Sequence, residues 1–62
     1  MTGEDFTSRF VRHMTIIAGP KFPDGSSVEK YAMEKARDYI DTDTARREGP
    51  EYCAELEYSI LK

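Results

Sequence analysis

The sequence predicts a minimal α+β domain of β-α-β type, with one amphipathic helix packed on a small sheet. Three observations lead there. Residues 28–40 repeat apolar side chains at helical spacing, residues 52–60 alternate apolar and polar side chains, and residues 10–18 end in the β-branched run Thr15-Ile16-Ile17. The same residues allow an alternative, an all-α fold of two or three short helices.

The helix is the firmest element. Ser26 suits its N-cap with Glu29 three residues on to close a capping box, and Ser27 is the alternative cap. Strong helix formers follow from Glu29 to Arg37. At 100° per residue Val28, Ala32, Ala36, Tyr39 and Ile40 share one stripe with Met33 at its margin, while Lys30, Glu34, Arg37, Asp38 and Asp41 lie opposite. The helix is expected to end near Asp41-Thr42-Asp43, where no apolar residue continues the stripe. Before it, Gly19-Pro20-Lys21-Phe22-Pro23-Asp24-Gly25 is a loop, and Pro23-Asp24-Gly25 suits a type I turn with proline second.

The last segment places Tyr52, Ala54, Leu56, Tyr58 and Ile60 at every second position, the mark of a half-buried strand. Gly49-Pro50 just before it would also suit a helix start. The first segment fits two templates. As a helix over 3–18, capped by Thr2 and stopped by Gly19-Pro20, it gathers Phe6, Phe10, Val11, Met14, Ile17 and Ala18 on one face and misplaces only Ile16. As a strand over 10–18 it gathers Phe10, Met14, Ile16 and Ala18, with Arg12 as the exception. A lone strand cannot satisfy its backbone, so a C-terminal strand calls for a partner, and residues 10–18 are the nearest candidate. A mixed outcome has the first segment helical and the last strand pairing with its copy in a dimer. Between the helix and the last segment lies an acidic-basic loop that carries Arg46-Arg47.

The 62 residues fit one domain with a thin core, since a chain of this size buries only about 60% of the surface it exposes unfolded. Self-association is therefore a reasonable expectation. The single cysteine, Cys53, allows no internal disulfide, which favours a reducing, cytoplasmic setting. No secretory leader is expected at the acidic Met1-Thr2-Gly3-Glu4-Asp5, and the longest apolar run, Ile16-Ile17-Ala18, falls far short of the ~20 residues that span a bilayer. The net charge of −3 sits wholly in residues 41–62, where Asp41, Asp43, Glu48, Glu51, Glu55 and Glu57 outnumber Arg46, Arg47 and Lys62. That sign argues against a general nucleic-acid binder and for a basic partner surface.

Few residues suggest chemistry. His13 and Cys53 are each the sole member of their type, and a nucleophile needs an orienting third group besides. Asp38, Asp41 and Asp43 cluster near the end of the helix, with Glu48 beyond, but counting from Asp41 a calcium loop would need glycine where Arg46 stands and glutamate where Tyr52 stands. Gly25-Ser26-Ser27 opens a helix without any Walker or dinucleotide pattern around it. No cofactor or metal is expected. The expected function is a small protein-interaction module, an adaptor, inhibitor or regulatory subunit rather than an enzyme. Its contact residues would be Tyr31, Arg46, Arg47, Glu51, Tyr52, Glu55 and Glu57, and its partner would present a basic or edge-strand surface. Tyr39 and Tyr58 are expected at the core edge instead. Two alternatives remain: a nucleic-acid-associated regulator using Arg9/Arg12 and Arg46/Arg47, and a small enzyme subunit using His13 and Cys53.

Overall fold

In the computed structural model, which describes residues 3–61, the chain runs through four helices: α1 (Gly3–Ala18), α2 (Val28–Tyr39), α3 (Asp43–Glu48) and α4 (Pro50–Leu61). α1 is the hub and packs against both α2 and α4. α3 is a short helix of six residues, under two turns, that lies against α4. The β-α-β expectation is overturned: the described residues contain no strand, only an isolated antiparallel bridge between Lys21 and Ser27. The strands expected at 10–18 and 52–60 are both helical, and the described residues offer no strand edge to a partner. It is the all-helical alternative, with one helix more than the sequence led us to expect.

α1 adopts the helical template. Phe6, Phe10 and Met14 are buried at spacings of four, Val11, Ile17 and Ala18 pack against them, and the misplaced Ile16 is left 69% exposed. Glu4 and Asp5 lie in its first turn, where the helix dipole favours them. Thr2, the expected cap, lies outside the described residues.

α2 matches its expected stripe, with Val28, Ala32 and Ala36 fully buried. Its cap is Ser27, whose hydroxyl accepts the Lys30 N–H at 3.2 Å. Ser26 is engaged elsewhere: its N–H and its hydroxyl donate to Asp24 Oδ1 at 2.9 and 2.7 Å, and these bonds hold the Asp24 carboxyl below its usual range. The expected turn forms, with the Gly25 N–H on the Phe22 carbonyl at 2.9 Å. The Val28 N–H on the Pro20 carbonyl at 3.2 Å then closes the loop and sends α2 back antiparallel to α1. At the far end the chains meet again, where a Cβ on Gly3 would stand 3.2 Å from Ile40 Cδ1.

The acidic-basic loop is corrected to helix over Asp43–Glu48. Thr42 makes it: its Oγ1 accepts the Ala45 N–H at 3.1 Å and donates to the Tyr39 carbonyl at 2.6 Å, ending one helix and starting the next. Asp43 in the first turn and Arg46 and Arg47 in the last both suit the dipole. Gly49, at φ 93°, breaks the helix in a conformation that side chains other than glycine's resist, and Pro50 then opens α4.

The core is small and lined by aromatic rings. Phe6 stacks on Phe10 at 6.1 Å between ring centres, and Phe10 meets the Tyr39 ring at 5.6 Å. α4 contributes Pro50, Cys53, Ala54 and Glu57, residues at helical spacings of three and four.

Candidate functional site

α4 sorts its side chains by direction, and that sorting defines the candidate site. Its inner face carries Glu57, only 7% exposed, which bridges to α2. The Tyr31 hydroxyl donates to Glu57 Oε2 and the Tyr39 hydroxyl to Oε1 at 3.0 Å. Tyr31 is held in turn by the edge of the Phe22 ring at 5.3 Å and by the Lys35 ammonium 5.4 Å above its face. The acceptor-only carboxylate matches two O–H donors, which is how an acidic side chain is tolerated inside so small a core. Burial first, then the bond to Glu57 and its charge, raise both phenols from the ordinary 10.0 to about 12.

These shifts carry a pH dependence with a definite sign. A folded-state pKa above the unfolded one means that the stability these phenols contribute is complete below pH 10 and is lost as pH climbs toward about 12. Two phenols should therefore ionise only near the upper end of that window, together with loss of helical ellipticity. In Glu57→Gln both should ionise earlier, without returning fully to the ordinary value, because burial is the larger cause. Tyrosinate absorbance followed alongside circular dichroism checks both statements.

The side of α4 that meets α1 is a seam of opposite charges. Arg9 Nε and Nη2 donate to the two Glu51 oxygens at 2.9 and 2.8 Å. One turn on, His13 Nε2 lies 3.6 Å from Glu55 Oε2, beyond hydrogen-bond length, and this shielded nitrogen has no hydrogen-bond partner. Partial burial pushes the Glu51 carboxyl up, but the Arg9 bonds and charge outweigh it and the net shift is downward.

The outward side of α4 presents Tyr52, Leu56 and Ile60, which are 45%, 38% and 74% exposed. Spacings of four residues align them in one row along about 12 Å of helix. Glu55 and Ser59 flank the row and enclose with Tyr52 and Leu56 a shallow depression of about 200 Å3. No basic residue lies on Pro50–Leu61, and Glu48 precedes it.

The expected contact residues are thus dispersed. Tyr52 and Glu55 share the outer part of α4, and Glu51 is half-buried on the α1 seam. Glu57 and Tyr31 face each other inside, so Glu57 does not belong to an exposed acidic face. Arg46 and Arg47 are exposed on α3, with Arg46 drawn to Asp43 at 3.4 Å. Arg9 and Arg12 lie on α1, the first of them already paired with Glu51. His13 and Cys53 are not brought together: His13 faces Glu55, whereas the fully buried Cys53 lies on the inner face. Burial, and to a lesser degree the Glu48 charge, push the Cys53 thiol up, away from the reactive thiolate. No cluster of three or more metal-ligating side chains occurs among the described residues. Likewise, no described helix is long and apolar enough to cross a membrane.

Leu56 and Ile60 were the residues missed as a site. Their shared spacing with Tyr52 carries the signal, but the strand reading gave them to a sheet face. The chain matches no protein-family model, no curated protein and no solved structure.

Proposed function

We propose that the chain is a protein-interaction module, an adaptor, inhibitor or regulatory subunit that works by occluding or recruiting a partner in the cytoplasm. The observation that carries this reading is the exposed Tyr52–Leu56–Ile60 row on α4. Large apolar side chains aligned on one side of a surface helix are the anchors that seat such a helix on a partner. The acidic Glu55 beside the row, together with the net charge of −3, favours a partner whose contact surface has an apolar centre and a basic rim. The single cysteine, pointed inward, suits a reducing compartment.

Comparative capture from extracts of the native host tests the reading. Wild-type protein should retain a specific protein that Leu56→Glu and Ile60→Glu both lose. Glu55→Lys should retain it more weakly, with a shallower loss on adding salt than wild type shows, because an attraction that salt screens has been replaced by a repulsion. Ile16→Glu, on α1 and 69% exposed, is the control for a generic effect of placing charge on an exposed apolar position and should retain it unchanged. Identical sets of bound proteins for wild type and Leu56→Glu would refute the assignment.

A further inference from the structure

On α1 and α2, away from the α4 row, an open groove of about 640 Å3 runs between the two helices. Val11 and Met33 supply its apolar floor, and Met33 is 47% exposed although it lies between two charged positions on its own helix. Four charged side chains rim it: Glu4 and Arg12 on α1, and Glu29 and Arg37 on α2. None of these four side chains makes a hydrogen bond or ion pair among the described residues.

The placement of the four is regular. On each helix the glutamate and the arginine are eight residues apart, which is about 12 Å along the axis. Because α2 returns antiparallel, with Gly3 against Ile40, Glu4 and Arg37 fall at one end of the groove and Arg12 and Glu29 at the other. Charge therefore alternates around the rim as a checkerboard, negative beside positive along each helix and across each end.

A checkerboard of this kind is complementary to itself. Turning a copy over to lie face to face on the first reverses the pattern along one direction, so every charge meets its opposite. If the twofold axis crosses the helices, Glu29 meets Arg37 of the partner subunit and Glu4 meets Arg12 of the partner subunit. If the axis runs along the helices, Glu4 meets Arg37 of the partner subunit and Arg12 meets Glu29 of the partner subunit. In both cases Met33, midway between Glu29 and Arg37 and 47% exposed in the single chain, lies in the middle of the contact and is removed from water. We infer that the α1/α2 groove is a self-association surface whose occupant is a second copy of this chain, paired by a twofold axis. This surface is separate from the α4 row, so the dimer would leave that row free for a different protein.

Sedimentation velocity on the full chain over a range of concentrations tests the inference. The wild type should convert from the 7.1 kDa monomer to a species of twice that mass as concentration rises, less readily in high salt. Arg37→Glu should weaken the dimer by about tenfold or more, since like charges then meet at two symmetric places. Met33→Glu should weaken it as well, with helical ellipticity showing that both variants stay folded. Mixing Arg37→Glu with Glu29→Arg restores a mixed dimer if the axis crosses the helices, and mixing it with Glu4→Arg does so if the axis runs along them. A wild type that remains monomeric throughout would overturn the inference. So would a dimer insensitive to Arg37→Glu and Met33→Glu, as one formed through α4 would be, or failure of both mixtures to recover.

Discussion

Replacing Phe10 by alanine should remove most of the stability of this protein. Phe10 is fully buried and joins three elements: it stacks on Phe6 within α1, meets the Tyr39 ring of α2, and sits on the helix against which α4 packs. Truncating a buried phenylalanine costs about 3–5 kcal/mol, the transfer term plus the cavity left behind. A domain of 62 residues has only roughly 3–9 kcal/mol in total. With so few large side chains inside, and Ala32, Ala36 and Ala54 reaching no further than their methyl groups, the core has little with which to fill the space. Urea titration should show a midpoint shifted to very low denaturant, or a chain already unfolded in buffer. Ile16→Ala, on the same helix but 69% exposed, should change stability by no more than about 0.5 kcal/mol. Similar losses for the two variants would contradict the buried face assigned to α1.

The second large effect is expected at Glu57. Glu57→Ala removes the acceptor of two tyrosine hydroxyls at once and should cost about 2–4 kcal/mol. Glu57→Lys should be worse, because it turns an acceptor into a donor and sets an unpaired cation against donors in a confined space. Glu57→Gln should lose about 1 kcal/mol, as the amide can still accept from one hydroxyl and donate to the other. The polar nature of the cluster can be separated from its packing. Glu57→Leu combined with Tyr31→Phe and Tyr39→Phe leaves no donor unsatisfied, so it should recover most of what Glu57→Ala loses. Thermal unfolding of the series checks the order, and a Glu57→Ala as stable as wild type would show that the three side chains do not act together. Reversing charge at Glu55 and at Glu57 then probes different properties. The former tests the exposed surface, and the latter tests the core.

Glu57 also explains why α4 was hard to recognise from its residues. Its buried positions are Pro50, Cys53, Ala54 and Glu57, none of which stands out as a large apolar side chain. The large apolar residues, Leu56 and Ile60, are outside. A pattern of period two therefore stands out in a segment whose buried face has helical period, because the expected core residues and the actual ones are different sets. A strand at 52–60 requires a partner, and that requirement draws residues 10–18 into a sheet although their helical pattern misplaces only Ile16. α3 had a local signal, Thr42-Asp43 ahead of Arg46-Arg47 and Gly49, that an apolar pattern cannot register in so short a helix.

For the candidate surfaces the division is similar. Tyr52 and Glu55 were identifiable by type and do lie on the outer part of α4. A strand would also have put Tyr52, Leu56 and Ile60 on one face, but only the helix parts them from Ala54, which it buries, and sets Glu55 beside them. The checkerboard on the other side depends on two helices running antiparallel, a relation that no single segment contains.

What the sequence by itself determined were the features set within a few residues of the chain: the α2 stripe of Val28, Ala32 and Ala36, the turn at Pro23-Asp24-Gly25, the stop at Gly19, and the acidic C-terminal third. These follow from local spacing, backbone conformation and charge, and they need no distant partner. Tertiary structure alone decided the fold class, the fate of Glu57 and the exposure of Leu56 and Ile60. Each of these turned on whether a polar group could find its match inside. Once Tyr31 and Tyr39 from α2 satisfied Glu57, α4 could bury a carboxylate and turn its leucine and isoleucine to the surface, which is the reverse of the choice its composition suggests.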